Sequence, residues 1–181
     1  ISFDESRISH KEAKEKIAAK AAALVKNGKR VFIDSGSTTR IMLNYLDRDT
    51  RAVIVTNHLK VAERALMFDN LSVIMLGGQM IRITNCSSGS VAEEQIKKYQ
   101  LDTAFIGAAA IGADSPEARF KSSIFSLSKK IYLLTDSSKF NTYDLNEFAN
   151  LSQVSGVITD SGIDEEGLNL LKKYNVDVII A

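Results

Sequence analysis

Several residue types are scarce in this sequence, and so are long apolar runs. Tryptophan is absent, proline occurs once, and the single cysteine, Cys86, cannot form an internal disulfide. A lone cysteine is typical of a reducing compartment, so we expect a cytoplasmic protein and interpret Cys86 as incidental. No apolar run approaches the roughly 20 residues of a membrane span, and no signal peptide is visible, so we expect no membrane contact.

A charge excess is missing as well. Lys and Arg number 23 against 22 Asp and Glu, which gives a formal net charge of +1. A domain that grips nucleic acid through phosphates usually carries a larger basic excess or a basic stripe. In the most basic stretch, 11–20, lysines alternate with glutamates, which is typical of a solvated helix face. We therefore expect this part of the protein not to contact nucleic acid itself.

The composition that remains suits one globular domain. Of 181 residues, 45% are apolar and 25% are charged, enough to form a sizeable core. No internal repeat or linker is visible, so we expect a single domain over 1–181. The first residue is Ile rather than Met, and we expect a fragment or a processed chain.

Short β-branched runs alternate with amphipathic segments. This alternation predicts an α/β, Rossmann-like fold with a mainly parallel sheet and helices on both faces. The predicted strands are Val31–Ile33, Ala52–Val55, Leu71–Leu76, Thr103–Ile106, Ile131–Leu134, Val154–Ile158 and Val176–Ile180. The predicted helices are Glu12–Asn27, Arg40–Leu46, Leu59–Met67, Val91–Tyr99, one starting at Pro116 and one containing Leu168, Leu170 and Leu171. The polar stretch 79–90 is expected to be irregular.

One strand end suggests an anion site. Residues 30–39 read R-V-F-I-D-S-G-S-T-T, a strand followed by a tight polar turn and a helix start. Such a turn presents backbone N–H groups and hydroxyls at the positive end of a helix, which favours a phosphate. Taken alone, the segment favours an ordinary capped turn, because neither a P-loop nor a G-x-G-x-x-G fingerprint is present.

The other strand ends strengthen that suggestion. In open parallel sheets, ligands bind outside the carboxyl ends of the strands. Six predicted strands finish in small or polar residues: Asp34-Ser35-Gly36, Thr56-Asn57, Gly77-Gly78, Gly107, Asp136-Ser137 and Asp160-Ser161. Turns favour these residue types anyway. If they converge on one edge, their carboxylates, hydroxyls and backbone groups suit a phosphorylated, polyhydroxylated small molecule.

An ordered set of motifs carries a family resemblance. I-D-S-G-S-T-T, V-T-N, M-L-G-G-Q-M-I-R, D-T-A-F-I-G-A, L-L-T-D-S-S-K-F and I-T-D follow one another along the chain. From about Lys16 to Ala181, the sequence resembles the C-terminal effector-binding domain of DeoR-type bacterial transcriptional regulators. That domain is similar in fold to ribose-5-phosphate isomerase, glucosamine-6-phosphate deaminase and the CoA transferases.

The resemblance implies a regulator of sugar metabolism genes, in most cases a repressor. It implies an effector that is a phosphorylated sugar or related metabolite, and a homodimer or homotetramer. It also implies DNA contact only through an N-terminal winged helix-turn-helix domain that lies outside this sequence. We expect no enzymatic activity, no catalytic residue, no cofactor and no metal.

The same resemblance assigns roles to particular residues. The first ligand loop comprises Asp34, Ser35, Gly36, Ser37, Thr38 and Thr39, and a second wall comprises Thr56 and Asn57. Backbone approaches closely at Gly77 and Gly78, and Gly107 ends a further strand of the site. Arg82 and Lys139 are the expected cationic contacts, and Asp136 holds hydroxyls or orients Lys139. Arg82 is equally well interpreted as a surface residue in a mobile loop.

Two departures from the family pattern bear on activity. Family members commonly carry Gly-Ala-Asp-Gly where this chain has 107–110 as Gly-Ala-Ala-Ala. In the isomerase relatives an acid in this region takes part in proton transfer, which Ala109 cannot do. The stretch Ile111–Glu117 is also shorter than expected, through a deletion or a mobile loop that the sequence does not include.

Two enzymatic alternatives remain open. A sugar-phosphate isomerase or deaminase of the same fold would need an acid and a base, for which Lys139, Asp34 and Asp136 are available. His10 and His58 are interpreted as structural or surface residues. A CoA transferase would need a glutamate nucleophile, and Glu117 is the nearby candidate.

Overall fold

A computed structural model describes residues 11–108, 116–140 and 151–181, and the structural statements below concern these residues. The helices are α1 (Lys11–Ala23), α2 (Ser37–Ile41), α3 (Leu59–Ala65), α4 (Ser90–Ile96), α5 (Pro116–Leu127) and α6 (Glu165–Lys173). The strands are β1 (Arg30–Ile33), β2 (Ala52–Thr56), β3 (Leu71–Met75), β4 (Gln79–Ile81), β5 (Cys86–Ser88), β6 (Leu101–Gly107), β7 (Ser128–Leu134), β8 (Gly156–Thr159) and β9 (Asp177–Ile180). Short 3₁₀ turns occupy Met42–Tyr45, Ser137–Lys139 and Leu151–Gln153.

Seven strands form one parallel sheet in the order β3-β2-β1-β6-β7-β8-β9. At its centre Phe32 of β1 pairs with Val55 of β2 on one side and with Ala104 of β6 on the other. The chain winds outward from β1 to β3, then returns to the other side of β1 and continues to β9. A topological switch point therefore lies between β1 and β6, where a ligand crevice is expected.

Apolar layers cover both faces of this sheet. Phe32 belongs to a core with Leu101 and Ile124, whereas its neighbour Ile33 belongs to a second core with Ile17 of α1. Successive strand residues point to opposite faces. Because both faces are covered, the strands read as continuous apolar runs, and the predicted sheet with helices on both sides is confirmed.

Most predicted helices and strands are present with shifted ends, and the second helix differs most. It was expected over Arg40–Leu46, but α2 starts at Ser37 and ends at Ile41, and the 3₁₀ turn Met42–Tyr45 continues it. The first helix ends at Ala23 rather than Asn27. The polar residues Ser37 and Thr38 gave no apolar periodicity, so the sequence pattern missed the first turn.

The prediction of an irregular stretch over 79–90 was wrong. Residues 79–88 form an antiparallel hairpin of β4 and β5, in which Met80 pairs with Ser87. The hairpin bonds to the end of β2, where Ser87 N–H donates to Asn57 O at 2.8 Å. Tertiary bonding of this kind stabilises strands that lack an alternating apolar pattern. Among the residues described, no helix is long and apolar enough to cross a membrane.

Candidate functional site

The ends of β1 and β6 meet closely at the switch point. Oδ2 of Asp34 accepts a hydrogen bond from the backbone N–H of Gly107 at 3.1 Å, and the Asp34 N–H donates to Phe105 O at 3.0 Å. A Cβ built on Gly107 would lie 2.8 Å from the Cα of Gly36. Only glycine allows this approach of two backbones, so the predicted residues Gly36 and Gly107 shape the floor of the crevice.

A lysine of α5 completes the surroundings of Asp34. Nζ of Lys121 lies 3.1 Å from Oδ2 of Asp34, and the two side chains are only 11% and 4% exposed. Two opposite charges this far from water are costly to bury and are retained only with good geometry and further hydrogen bonds. The switch point therefore contains a nearly buried ion pair.

The first predicted ligand loop is braced by its own hydroxyls. Oγ1 of Thr39 donates to the backbone oxygen of Asp34 at 2.7 Å or of Gly36 at 2.9 Å. Oγ of Ser35 is 3.4 Å from Oδ1 of Asp34, a long contact. Thr39 thus holds the turn in shape, while Ser35 lies beside the carboxylate.

The helix that follows this loop is short. Ser37 and Thr38 open α2, which has five residues and no side-chain cap. A helix of barely more than one turn has only a small dipole. Attraction for an anion at this edge must therefore come mainly from charged side chains.

The second predicted wall is tied to its neighbours. Oγ1 of Thr56 donates to Ile33 O at 2.8 Å and accepts from the N–H of His58 at 3.1 Å. Nδ2 of Asn57 donates to Ser87 O at 2.9 Å. These bonds join the end of β1, the end of β2 and the β4–β5 hairpin into one wall of the crevice.

His58 is buried and caps α3. Its Nδ1 accepts from the N–H groups of Lys60 and Val61 at 3.1 and 3.3 Å, so the neutral ring carries its proton on Nε2. Burial, followed by the positive charge of Arg40, lowers the pKa of His58 to about 4, with Asp34 opposing the shift. His58 is neutral near pH 7 and has the structural role expected from the sequence.

The third strand end is also close-packed. The N–H of Gly77 donates to Oε1 of Gln95 at 2.6 Å. Gly78 has φ +128, and a Cβ there would lie 2.6 Å from Ser88 O. Two backbones therefore approach closely at Gly78, and the role of Gly77 and Gly78 in ligand binding stays a prediction. Arg82 lies in the exposed turn of the β4–β5 hairpin.

Two carboxylates follow β7 and β8. Oδ1 of Asp136 accepts from the N–H of Ser138 at 3.2 Å and also from the Ser138 hydroxyl. Asp160 accepts from the N–H and the hydroxyl of Ser137 at 2.6 and 2.9 Å, and from the N–H of Gly162 at 3.2 Å. Burial alone would raise the pKa of Asp160, but these hydrogen bonds outweigh it and lower the pKa.

A lysine of the first helix reaches this end of the edge. Lys14 of α1 is only 6% exposed, although lysine is rarely buried. Burial lowers its pKa most; the charge of Asp136 raises it, and the charges of Lys139 and Arg40 lower it further. The charges of Arg40, Lys139 and Asp136 therefore act on the buried ammonium of Lys14.

Sequence reasoning missed Lys14, Arg40 and Lys121. For Lys14 a signal was present: with Ile17, Ala18, Ala21 and Ala22 it forms the buried face of α1, the spacing of an apolar stripe. The lysine-rich stretch was instead taken as one solvated face. Lys121 likewise shares the buried face of its helix with Phe120 and Ile124, but only the packing of α5 brings it to Asp34.

The remaining sequence candidates are the cysteine and the residues considered for metal binding or enzymatic activity. Cys86 is buried, which raises the pKa of its thiol and makes it a poor nucleophile. Within the described ranges no group of three or more His, Cys, Asp or Glu residues is arranged to hold a metal. His10, Ala109 and residues 111–115 lie outside the described residues, and Glu117 lies in the first turn of α5.

Sequence comparison identifies relatives with regulator names. The chain is 30% identical over 174 residues to an Escherichia coli O157:H7 protein named for transcriptional repression of the aga operon, covering 92% of this chain and 65% of that protein. It is 28% identical over 188 residues to the HTH-type transcriptional regulator IolR of Bacillus subtilis, covering 100% and 75%. It is 26% identical over 183 residues to the glycerol-3-phosphate regulon repressor of Escherichia coli K12, covering 97% and 73%.

Solved structures share the fold. The sor operon regulator from Shigella flexneri matches with a TM-score of 0.60 at 9% identity, over 93% of this chain and 92% of that one. A domain of a possible sugar-binding transcriptional regulator from Arthrobacter aurescens TC1 matches with a TM-score of 0.61 at 11% identity, over 91% and 88%. Ribose 5-phosphate isomerase A from Methanocaldococcus jannaschii matches with a TM-score of 0.51 at 18% identity, over 72% and 55%.

At these identities the structures establish the fold alone, and the family follows from the sequence. A sequence profile described as the DeoR C terminal sensor domain matches residues 9–161. The match spans most of the chain and agrees with the resemblance seen in the ordered motifs. The chain therefore belongs to the DeoR C-terminal sensor domain family.

Proposed function

We propose that this chain is the effector-binding part of a transcriptional repressor of sugar metabolism genes, and that its effector is a phosphorylated sugar or related metabolite. The observation that carries the proposal is the nearly buried Lys14 of α1, on whose ammonium the charges of Arg40, Lys139 and Asp136 act. Clustered cations with one carboxylate suit a phosphate attached to a hydroxylated carbon chain.

The electrostatics of Lys14 favour an added anion. Its ammonium is disfavoured by burial and by two neighbouring cations, and Asp136 offsets only part of this effect. A phosphate dianion placed among the three cations would stabilise all of them. The proposed phosphate contacts are thus Lys139, which the sequence predicted, and Lys14 and Arg40, which it did not indicate.

The other half of the edge suits the sugar. Asp34, the hydroxyls of its loop and the close backbones of Gly36 and Gly107 lie together at the switch point between β1 and β6. Carboxylates and backbone groups bind hydroxyls through directional hydrogen bonds. Asn57, Thr56, Gly77 and Gly78 belong to the proposed walls through their place at neighbouring strand ends.

Regulation requires the effector to bind two states of the protein unequally. We assign DNA contact to a winged helix-turn-helix domain outside this sequence, in keeping with the net charge of +1 and the HTH-type name of one relative. A homodimer or homotetramer, a role in binding rather than turnover, and a cytoplasmic location complete the proposal.

A thermal-shift experiment tests the effector class. Ribose 5-phosphate, fructose 6-phosphate and glycerol 3-phosphate are compared with the corresponding unphosphorylated compounds, since a ligand of the folded state raises the melting temperature. We expect a shift with phosphorylated compounds only. Lys14→Gln should weaken binding about tenfold or more, because it removes a charged hydrogen bond.

Lys16→Gln is the matched control on the same helix. Lys16 is exposed and pairs with Glu12 at 3.0 Å, so its substitution should leave the ligand response unchanged. Equal loss in both variants, or no wild-type response to any phosphorylated compound, would contradict the proposal. Conversion of a sugar phosphate into an isomer or a deaminated product would instead favour the enzymatic alternative.

A further inference from the structure

The pair of Asp34 and Lys121 is not accounted for by phosphate binding. It lies at the crevice between β1 and β6, whereas the proposed phosphate contacts Lys14, Arg40 and Lys139 belong to α1, to α2 and to the turn after β7. Both side chains are nearly buried, and they come from a loop and from the middle of α5. A part of the effector other than its phosphate would therefore be needed to contact this pair.

Asp34 retains acceptor capacity. Its Oδ2 accepts from Gly107 N–H and contacts Lys121 Nζ, both at 3.1 Å. Its Oδ1 has only the Ser35 hydroxyl at 3.4 Å among the described residues. A carboxylate offers about four acceptor positions, so Oδ1 is under-used in a place where unmade hydrogen bonds are costly.

A purely structural role for the pair is a weaker explanation. α5 is already anchored by Phe120 and Ile124, which are 3% and 0% exposed in the core. Well-packed apolar residues in place of a buried ion pair are often as stabilising or more so. The charges of Asp34 and Lys121 are therefore better explained by a ligand than by the attachment of α5.

We infer that Lys121 is a ligand-binding residue and that, together with Asp34, it binds a vicinal diol of the effector. Oδ1 of Asp34 accepts from one hydroxyl, and Nζ of Lys121 donates to the neighbouring hydroxyl. This inference rests on the proposed function and narrows it: the effector carries adjacent hydroxyls on the part that lies away from its phosphate.

The test compares two probes that differ by one hydroxyl. Ribose 5-phosphate has a vicinal diol in its ring and 2-deoxyribose 5-phosphate has none; inorganic phosphate reports on the anion site alone. By titration calorimetry, wild type should bind ribose 5-phosphate at least tenfold more tightly than the deoxy compound. Lys121→Met should bring this ratio close to one while the response to inorganic phosphate stays unchanged.

Lys129→Met is the matched control, because Lys129 forms an exposed ion pair with Asp102 at the opposite end of the sheet. It should keep the wild-type ratio. If Lys121→Met does not fold, the double variant Asp34→Asn/Lys121→Met replaces the charges with a neutral pair of similar size. It should bind inorganic phosphate without distinguishing the two sugars.

Each result decides between the interpretations. A variant at Lys121 that folds and still prefers ribose 5-phosphate tenfold would overturn the inference, and so would a wild type that binds both sugars equally. Equal loss of all three probes would reduce Lys121 to a structural residue and also overturn it. Absence of wild-type binding to any probe would overturn the proposed function and this inference with it.

Discussion

Carboxylates at the two ends of the carboxyl edge are held in different ways. At the β1–β6 crevice, the Asp34 side chain is balanced by the ammonium of Lys121 from a separate helix. At the ends of β7 and β8, Asp136 and Asp160 are held by amide and hydroxyl groups of the adjoining turns, including those of Ser138 and Ser137.

The difference separates a responsive region from a fixed one. Turn amides near Asp136 and Asp160 keep their positions as long as the local backbone does. The partner of Asp34 depends on where α5 packs, so this carboxylate relies on a tertiary contact. We therefore expect substitution of the crevice carboxylate to cost more stability than substitution of the turn carboxylates.

The largest expected effect comes from Asp34→Asn. It leaves the Lys121 ammonium nearly buried without its counter-charge, and breaking such a pair costs about 3–5 kcal/mol. Urea unfolding at pH 7 measures the loss. The double variant Asp34→Asn/Lys121→Met should recover most of it, because no isolated charge remains. A single-variant loss below about 1 kcal/mol would show that the pair is effectively solvated.

The next effect concerns His58, beside the same crevice. Its pKa falls from 6.5 to about 4 on folding, so between these values the unfolded chain binds more protons. The free energy of unfolding should therefore rise with pH from about 4 to 6.5 and become flat above. The contribution is at most about 3 kcal/mol, since each tenfold change in proton affinity corresponds to about 1.4 kcal/mol.

Other acidic groups also titrate in this range, so His58→Asn serves as the reference for this measurement. Asparagine is a good helix N-cap and keeps an acceptor for the amides of α3, but it does not titrate. Subtracting its pH profile from that of wild type, by urea unfolding at each pH, isolates His58. A difference that does not change between pH 4 and 6.5 would show that the ring is not neutral and buried.

The smallest expected effect is at Asp160 in the fixed region. Asp160→Asn keeps one acceptor oxygen for the Ser137 N–H but loses the charge-assisted bonds, which should cost about 1–2 kcal/mol at pH 7. Because the folded pKa is lowered, the wild-type carboxylate stabilises the fold above its unfolded pKa and loses this as pH falls through the folded pKa. The difference in unfolding free energy between the two proteins should thus be present at pH 7 and disappear in acid. A loss at pH 7 as large as that of Asp34→Asn would remove the contrast between the two regions.

Much of the fold was predictable because it is encoded locally. Continuous apolar runs such as Val31–Ile33 indicate strands buried on both faces, and Pro116 marks the start of α5. The β4–β5 hairpin was not predictable from its own residues. It is stabilised by bonds to Asn57 and Leu76 at other strand ends, and an alternating apolar pattern is absent there.

The candidate site divides in the same way. The polar strand ends, including Asp34, Thr56 and Asp136, were visible because turns after parallel strands display their residues at one edge. Lys14 was hidden in a run of lysines and glutamates, although its helical spacing matched the buried residues of α1. The roles of Asp34, Thr56, Asp136 and Lys14 as ligand contacts remain predictions.

By itself, the sequence determined the alternation of strands and helices, the membership in the DeoR sensor family and the polar character of the carboxyl edge. These properties depend on neighbouring residues and on their order along the chain. Only the tertiary structure decided that Lys121 meets Asp34 and that Lys14 is buried where the charges of Asp136 and Lys139 act on it. Charge pairing depends on distance in space, which sequence separation does not reveal until the helices have packed against the sheet.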